Sequence, residues 1–111
     1  MKLFTAAQER QLLKQGATPD AKGVKPVVKL FTPWGANTWL ISEIDPQQPD
    51  QLFGLCYLTN GYPELGWVSR RDLLSVRGPF GLKVERDLHW KPAKTLEKYA
   101  DEARRSGRLV A

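Results

Sequence analysis

Hydrophobic and polar positions change their period twice along this 111-residue chain, dividing it into a helical start, a strand-rich middle and a helical end. Thr5-Ala6-Ala7-Gln8 has the form of a capping box, in which a threonine hydroxyl and a glutamine amide satisfy unpaired groups at the start of a helix. Ala6, Leu12 and Leu13 share one side of the helix that follows, and Gly16 ends it. Residues 17–25, with Pro19, Asp20 and Gly23, read as a loop. From Pro26 the pattern turns to β-branched and aromatic runs, which predict strands over residues 27–31, 38–44 and 52–58. Asn60-Gly61 separates the third run from residues 64–69, and both residues accept positive φ, so these two strands are expected to form an antiparallel hairpin.

Residues 71–76 are expected to make one or two helical turns before Gly78, Pro79 and Gly81 break them. Residues 82–90 read as a half-exposed fifth strand, with Leu82, Val84 and Leu88 on one side and Lys83, Glu85, Asp87 and His89 on the other. Thr95 caps a last helix in which Leu96, Tyr99, Ala100 and Ala103 recur at i, i+3, i+4 and i+7, with Gly107 past its end. Strands gathered between helices, rather than alternating with them, predict an α+β fold. The expected architecture is a small antiparallel sheet of about five strands with an N-terminal and a C-terminal helix packed on it.

The length suits one hydrophobic core, and hence a single domain over residues 1–111, with a helix and loop in 1–25 and a core in 26–108. The longest uncharged run, residues 30–42, is too short and too broken to span a bilayer, and no apolar stretch of signal-peptide length follows Lys2. A cytoplasmic protein without membrane contact is therefore expected. One cysteine, Cys56, and one histidine, His89, exclude an internal disulfide and a cysteine-based zinc site.

Charge is unevenly spread. Residues 1–25 carry five basic and two acidic side chains, residues 26–69 one basic and four acidic, and residues 70–111 eleven basic and six acidic. The basic ends suit a polyanion such as DNA, because each Lys or Arg set on a phosphate releases counterions, although net charge also serves solubility alone. Arg70 and Arg71, with Lys94, Lys98 and Arg105 on one side of the last helix, are the candidate contacts for DNA or an acidic protein. Trp34, beside Gly35 in a Pro/Gly-rich loop, could offer a flat face for stacking, whereas Trp39, Trp67 and Trp90 read as packing residues.

Catalytic candidates are carboxylates and the single imidazole. Asp87 and His89 would share one face of a strand, so the carboxylate could orient the ring. Asp45 precedes Pro46 and reads as a turn cap. No nucleophile elbow or phosphate-cradling glycine loop is present, and Cys56, mid-strand among apolar residues, reads as a small buried hydrophobe.

Several short motifs carry a resemblance. Residues 29–35 (Lys-Leu-Phe-Thr-Pro-Trp-Gly) with Thr38-Trp39-Leu40, then residues 52–56 (Leu-Phe-Gly-Leu-Cys), residues 61–66 (Gly-Tyr-Pro-Glu-Leu-Gly), and Glu85-Arg86-Asp87 with Lys94-Thr95-Leu96, recur in this order. With them, residues 26–108 resemble an uncharacterised bacterial family, the domain-of-unknown-function family 2958, and Met1 to Lys25 is taken to lie outside it. The resemblance implies a protein of plasmids and integrative elements, and some look-alikes carry a single-stranded DNA endonuclease label. Trp34, Gly35, Thr38, Trp39, Glu64, Gly66, Glu85, Arg86 and Asp87 are the matched positions, none with an assigned role.

Three expectations follow. The first is a non-catalytic module that binds DNA or a DNA-processing or defence protein through Trp34, Arg70, Arg71, Lys94, Lys98 and Arg105, with no cofactor and no metal. The alternative is a Mg²⁺-dependent single-strand nuclease in which Glu64, Glu85 and Asp87 hold the ion and His89 activates water. The third is an inhibitor whose acidic middle, Glu43, Asp45, Asp50 and Glu64, imitates phosphate charge.

Overall fold

The computed structural model describes residues 2–18, 23–58 and 61–111. Helix α1 (Ala6–Gly16) is followed by strands β1 (Val28–Phe31), β2 (Thr38–Asp45), β3 (Gln48–Tyr57) and β4 (Glu64–Ser69), helix α2 (Arg70–Ser75), strand β5 (Glu85–Arg86) and helix α3 (Leu96–Ser106). The strands form one sheet in the order β4-β3-β2-β1-β5, and every pair is antiparallel. The fold is α+β, with a five-stranded antiparallel sheet and a helix at each end of the chain.

Alternation along β2 sends its side chains to two cores. Trp39, Ile41 and Ile44 join Leu12 of α1 and Leu73 of α2 on one face, while Leu40 joins Leu96, Tyr99 and Ala100 of α3 on the other. The sheet is therefore the middle of three layers. The capping box forms as the sequence predicts: Thr5 Oγ1 accepts from the Gln8 amide at 3.1 Å and Gln8 Oε1 accepts from the Thr5 amide at 2.9 Å. In α3 the four buried residues are Leu96, Tyr99, Ala100 and Ala103, the stripe read from the sequence, and Gly107 closes the helix at φ 79°.

Three expectations are corrected. The fifth strand spans only Glu85–Arg86, because Asp87 turns the chain: its Oδ1 accepts from the His89 amide at 3.0 Å. Strand β3 begins four residues earlier than expected, at Gln48, because Asp45 caps the tight β2–β3 turn by accepting from the Gln47 amide at 2.9 Å. Trp67, read as a packing residue, is 51% exposed, since α3 covers the central strands and leaves the outer row of edge strand β4 open. The Asn60-Gly61 signal falls partly outside the described residues, but the pairing it predicts is present between β3 and β4.

Candidate binding site at the end of the last helix

Helix α3 crosses the sheet from one end to the other. Its first amide, on Leu96, donates to the Val24 carbonyl at 2.9 Å, and its last turn is held by Tyr57 Oη, which donates to the Gly107 carbonyl at 3.3 Å. Tyr57 pairs with Thr38, Thr38 with Phe31, and Phe31 with Glu85. The C-terminus of α3 therefore stands at the sheet end where β1 runs into the loop to β2 and where β5 begins.

The left-handed Gly107 reverses the chain there, and the tail returns over the sheet. Ser106 Oγ lies 2.9 Å from both the Glu102 and the Arg108 carbonyl oxygens, which share its single proton, Leu109 packs on the Leu40–Leu55 core, and Lys29 Nζ donates to a main-chain oxygen of Ala111 at 3.0 Å. Helix and tail enclose an open cleft of about 380 Å³ lined by Tyr99, Glu102, Arg105, Ser106, Arg108 and Val110.

The cleft is cationic. Lys94 pairs with Glu102 and lies 5.5 Å from the Tyr99 ring centroid. The Lys94 contact first, and Lys98 and Arg105 further off, hold the Glu102 carboxyl below its ordinary range. Lys94, Lys98 and Arg105, singled out in the sequence, are thus brought together around one carboxylate, and Arg108 adds a fourth cation. Arg104 pairs instead with Asp101 at 3.6 Å.

The other basic candidates lie elsewhere. Arg70 is committed within the fold on the face opposite α3, where its Nη1 donates to Glu9 Oε1 at 2.9 Å and its guanidinium sits 5.3 Å from the Phe4 ring centroid. The Arg71 side chain is exposed, while its amide donates to Asp50 Oδ1 at 2.9 Å, an N-terminal cap for α2 supplied from β3. Trp34 is half-buried with its indole laid against Gly78, so that ring face is already occupied.

The nuclease set does not converge. Glu64 begins edge strand β4 and Glu85 lies in β5 at the opposite edge, four strand spacings or about 19 Å away. Asp87 is near Lys29 Nζ, at 3.9 Å, and caps the turn that carries His89, so the two do not share a strand face. Among the described residues no three His, Cys, Asp or Glu side chains gather as a metal site. Asp45 and Asp50 serve as caps within the fold, and Asp50 is held below its ordinary value chiefly by its hydrogen bonds from Ser69 and Arg71.

Glu43 gains a meaning that spacing alone could not give. The register slips between Ile41 and Glu43, so a bulge at Ser42 turns Glu43 into a cross-strand row with Phe53 and Trp67. Glu43 is 6% exposed, its Oε2 has no hydrogen-bond partner among the described residues, and burial raises its pKa, with the nearby Asp45 charge adding to the effect. Phe53 and Trp67 meet edge to face with centroids 5.2 Å apart. Burial likewise pushes the Cys56 thiol up to about 11, with Glu64 contributing.

The family described as "Protein of unknown function (DUF2958)" matches residues 3–110. The chain belongs to this family. Within it, the DUF2958 match extends through α1, which the motif resemblance had left outside, and the packing gives the reason: Leu12 of α1 is fully buried against the sheet. No match was found among curated proteins or among solved structures. Among the described residues, no helix of this DUF2958 protein is long and apolar enough to cross a membrane.

Proposed function

We propose that this protein is a non-catalytic module that binds DNA at the α3 end of the sheet. The observation that carries the reading is a cleft lined by Arg105 and Arg108, whose one lining carboxylate, Glu102, is paired with Lys94 and lies within the field of Lys98. A concave wall with surplus positive charge concentrates phosphate, and cations on two chain segments can follow a backbone rather than a single ion. The sequence resemblance to a family of plasmids and integrative elements, and the expected cytoplasmic setting, suit a partner met in DNA handling.

The test is anisotropy of labelled single- and double-stranded oligonucleotides over a salt series, in Mg²⁺, Mn²⁺ or EDTA, with product length read in parallel. A rise in anisotropy that weakens with salt, without cleavage, is expected. Replacing Arg105 and Arg108 together by Ala is expected to flatten the logarithmic salt slope on a single strand by about 1.4, roughly 0.7 per phosphate contact. Binding that ignores this replacement overturns the reading, and metal-dependent cleavage replaces it with the nuclease.

A further inference from the structure

The most unusual backbone in the fold lies at this same end. Residues Gly78 to Leu82 close a tight turn in which the Gly78 amide donates to the Leu82 carbonyl at 2.7 Å and the Leu82 amide to the Pro79 carbonyl at 3.1 Å. At its tip Phe80 adopts φ 57° and ψ 25°, and no other described non-glycine residue has positive φ. Its relative accessibility is 103%, so both ring faces stand in water. Left-handed backbone is unfavourable for a residue with a β-carbon, and exposure of the ring returns no burial in compensation.

The root of the turn is fixed. A β-carbon on Gly78 would stand 2.3 Å from Trp34 Cδ2, so the indole of the β1–β2 loop rests directly on the glycine backbone. Arg77 Nη1 donates to the Leu74 and Val76 carbonyls at 2.7 and 2.9 Å, which holds a guanidinium beside the root. Residues 77–83 carry two cations, Arg77 and Lys83, and no anion.

We propose that Phe80 is a stacking residue for an unpaired base of single-stranded nucleic acid, and that Trp34 is its positioning residue. This rests on the DNA-binding reading and extends it by naming the strand type and the aromatic contact. The charge of the turn selects a polyanion, and the α3 cleft at the same end supplies further phosphate contacts. An aromatic ring with two open faces accepts a base that has left its stack, whereas the faces of paired bases inside a duplex are already covered. The turn keeps the ring extended before the strand arrives, so little order is lost on binding.

The test uses a 15-nucleotide oligothymidylate with a central 2-aminopurine, and the same strand annealed to its complement. Wild-type protein is expected to bind the single strand more tightly and to change the 2-aminopurine emission. Phe80→Gly suits the left-handed backbone, so it is expected to raise the thermal midpoint while weakening binding about five- to 150-fold, the range for loss of one stacked base, with the salt slope unchanged. Phe80→Trp is expected to retain both affinity and emission change, and Trp34→Ala to diminish the emission change without altering the salt slope.

Wild-type protein that binds no oligonucleotide overturns the DNA reading and this proposal together. Binding through Arg105 and Arg108 that Phe80→Gly leaves intact overturns the stacking proposal alone, as does equal dependence on Phe80 with single and double strands. A Phe80-dependent change in sedimentation in the absence of nucleic acid, with oligonucleotide binding unaffected by Phe80→Gly, assigns the ring to a protein surface and also overturns it.

Discussion

The indole of Trp34 occupies the space that a β-carbon on Gly78 would need, with Cδ2, Cε3 and Cε2 all within 2.6 Å of that point. Gly78 itself has φ −108° and ψ −168°, extended backbone open to any residue, so the demand for glycine is one of space. The contact ties the β1–β2 loop to the turn before β5, two segments separated by more than forty residues.

Gly78→Ala is therefore expected to destabilise the fold by about 1–3 kcal/mol, the range for forcing atoms into a packed contact. Measured in a Trp34→Ala background, the same substitution is expected to cost much less, and chemical denaturation of the four species completes the cycle. Equal costs in both backgrounds would show that the contact does not carry the effect.

The buried Glu43 makes stability depend on pH in a stated direction. Its folded-state pKa is raised above the ordinary 4.5, so the folded chain holds the proton more tightly than the unfolded chain. The contribution of Glu43 is full below about pH 4.5 and is lost as the pH rises through the raised folded value. Relative to wild type, Glu43→Gln is expected to gain unfolding free energy as the pH rises above about 4.5, and to level off once the pH passes the raised folded value. Urea denaturation at each pH reads the difference, and a difference that is flat with pH refutes this account of the side chain.

Arg70 and Arg71 are adjacent in sequence but are expected to part in experiment. Loss of the Arg70 guanidinium removes its Glu9 pair and its position over Phe4, so Arg70→Ala is expected to cost about 1–2 kcal/mol of stability. Arg71→Ala, on an exposed side chain, is expected to stay within about 0.5 kcal/mol. Thermal melts of the two variants decide this, and neither substitution is expected to change oligonucleotide affinity by more than a small factor.

Cys56 is expected to be chemically quiet. With its pKa pushed up to about 11, only a trace of thiolate exists at neutral pH, and the side chain packs beside the core of Trp39 and Leu52. A thiol-specific chromogenic reagent is expected to react slowly with folded protein at pH 7 and rapidly after addition of denaturant. Fast labelling of the native protein would contradict the burial.

Much of this protein is written in local pattern. The Thr5 and Thr95 caps, the alternation of Trp39, Leu40 and Ile41, the turn at Asp45 and the stripe from Leu96 to Ala103 are set by interactions within a few residues, and they specify an antiparallel sheet flanked by helices. The basic character of the last helix is legible for the same reason, since Lys98 and Arg105 lie on α3 and Lys94 immediately precedes its Thr95 cap.

Tertiary structure alone decided which of these groups meet. Strand order sends Glu64 and Glu85 to opposite edges, the bulge at Ser42 turns Glu43 inward, and Glu9 of α1 engages the half-buried Arg70 in an ion pair, none of which follows from spacing. The same holds for Phe80, which in sequence is an apolar residue inside a helix-breaking run. Its ring stands exposed on a turn whose root, Gly78, is packed against the Trp34 indole of a loop far away in the chain. Local periodicity fixes which face a side chain takes on its own element, whereas contacts between distant segments fix what lies opposite it.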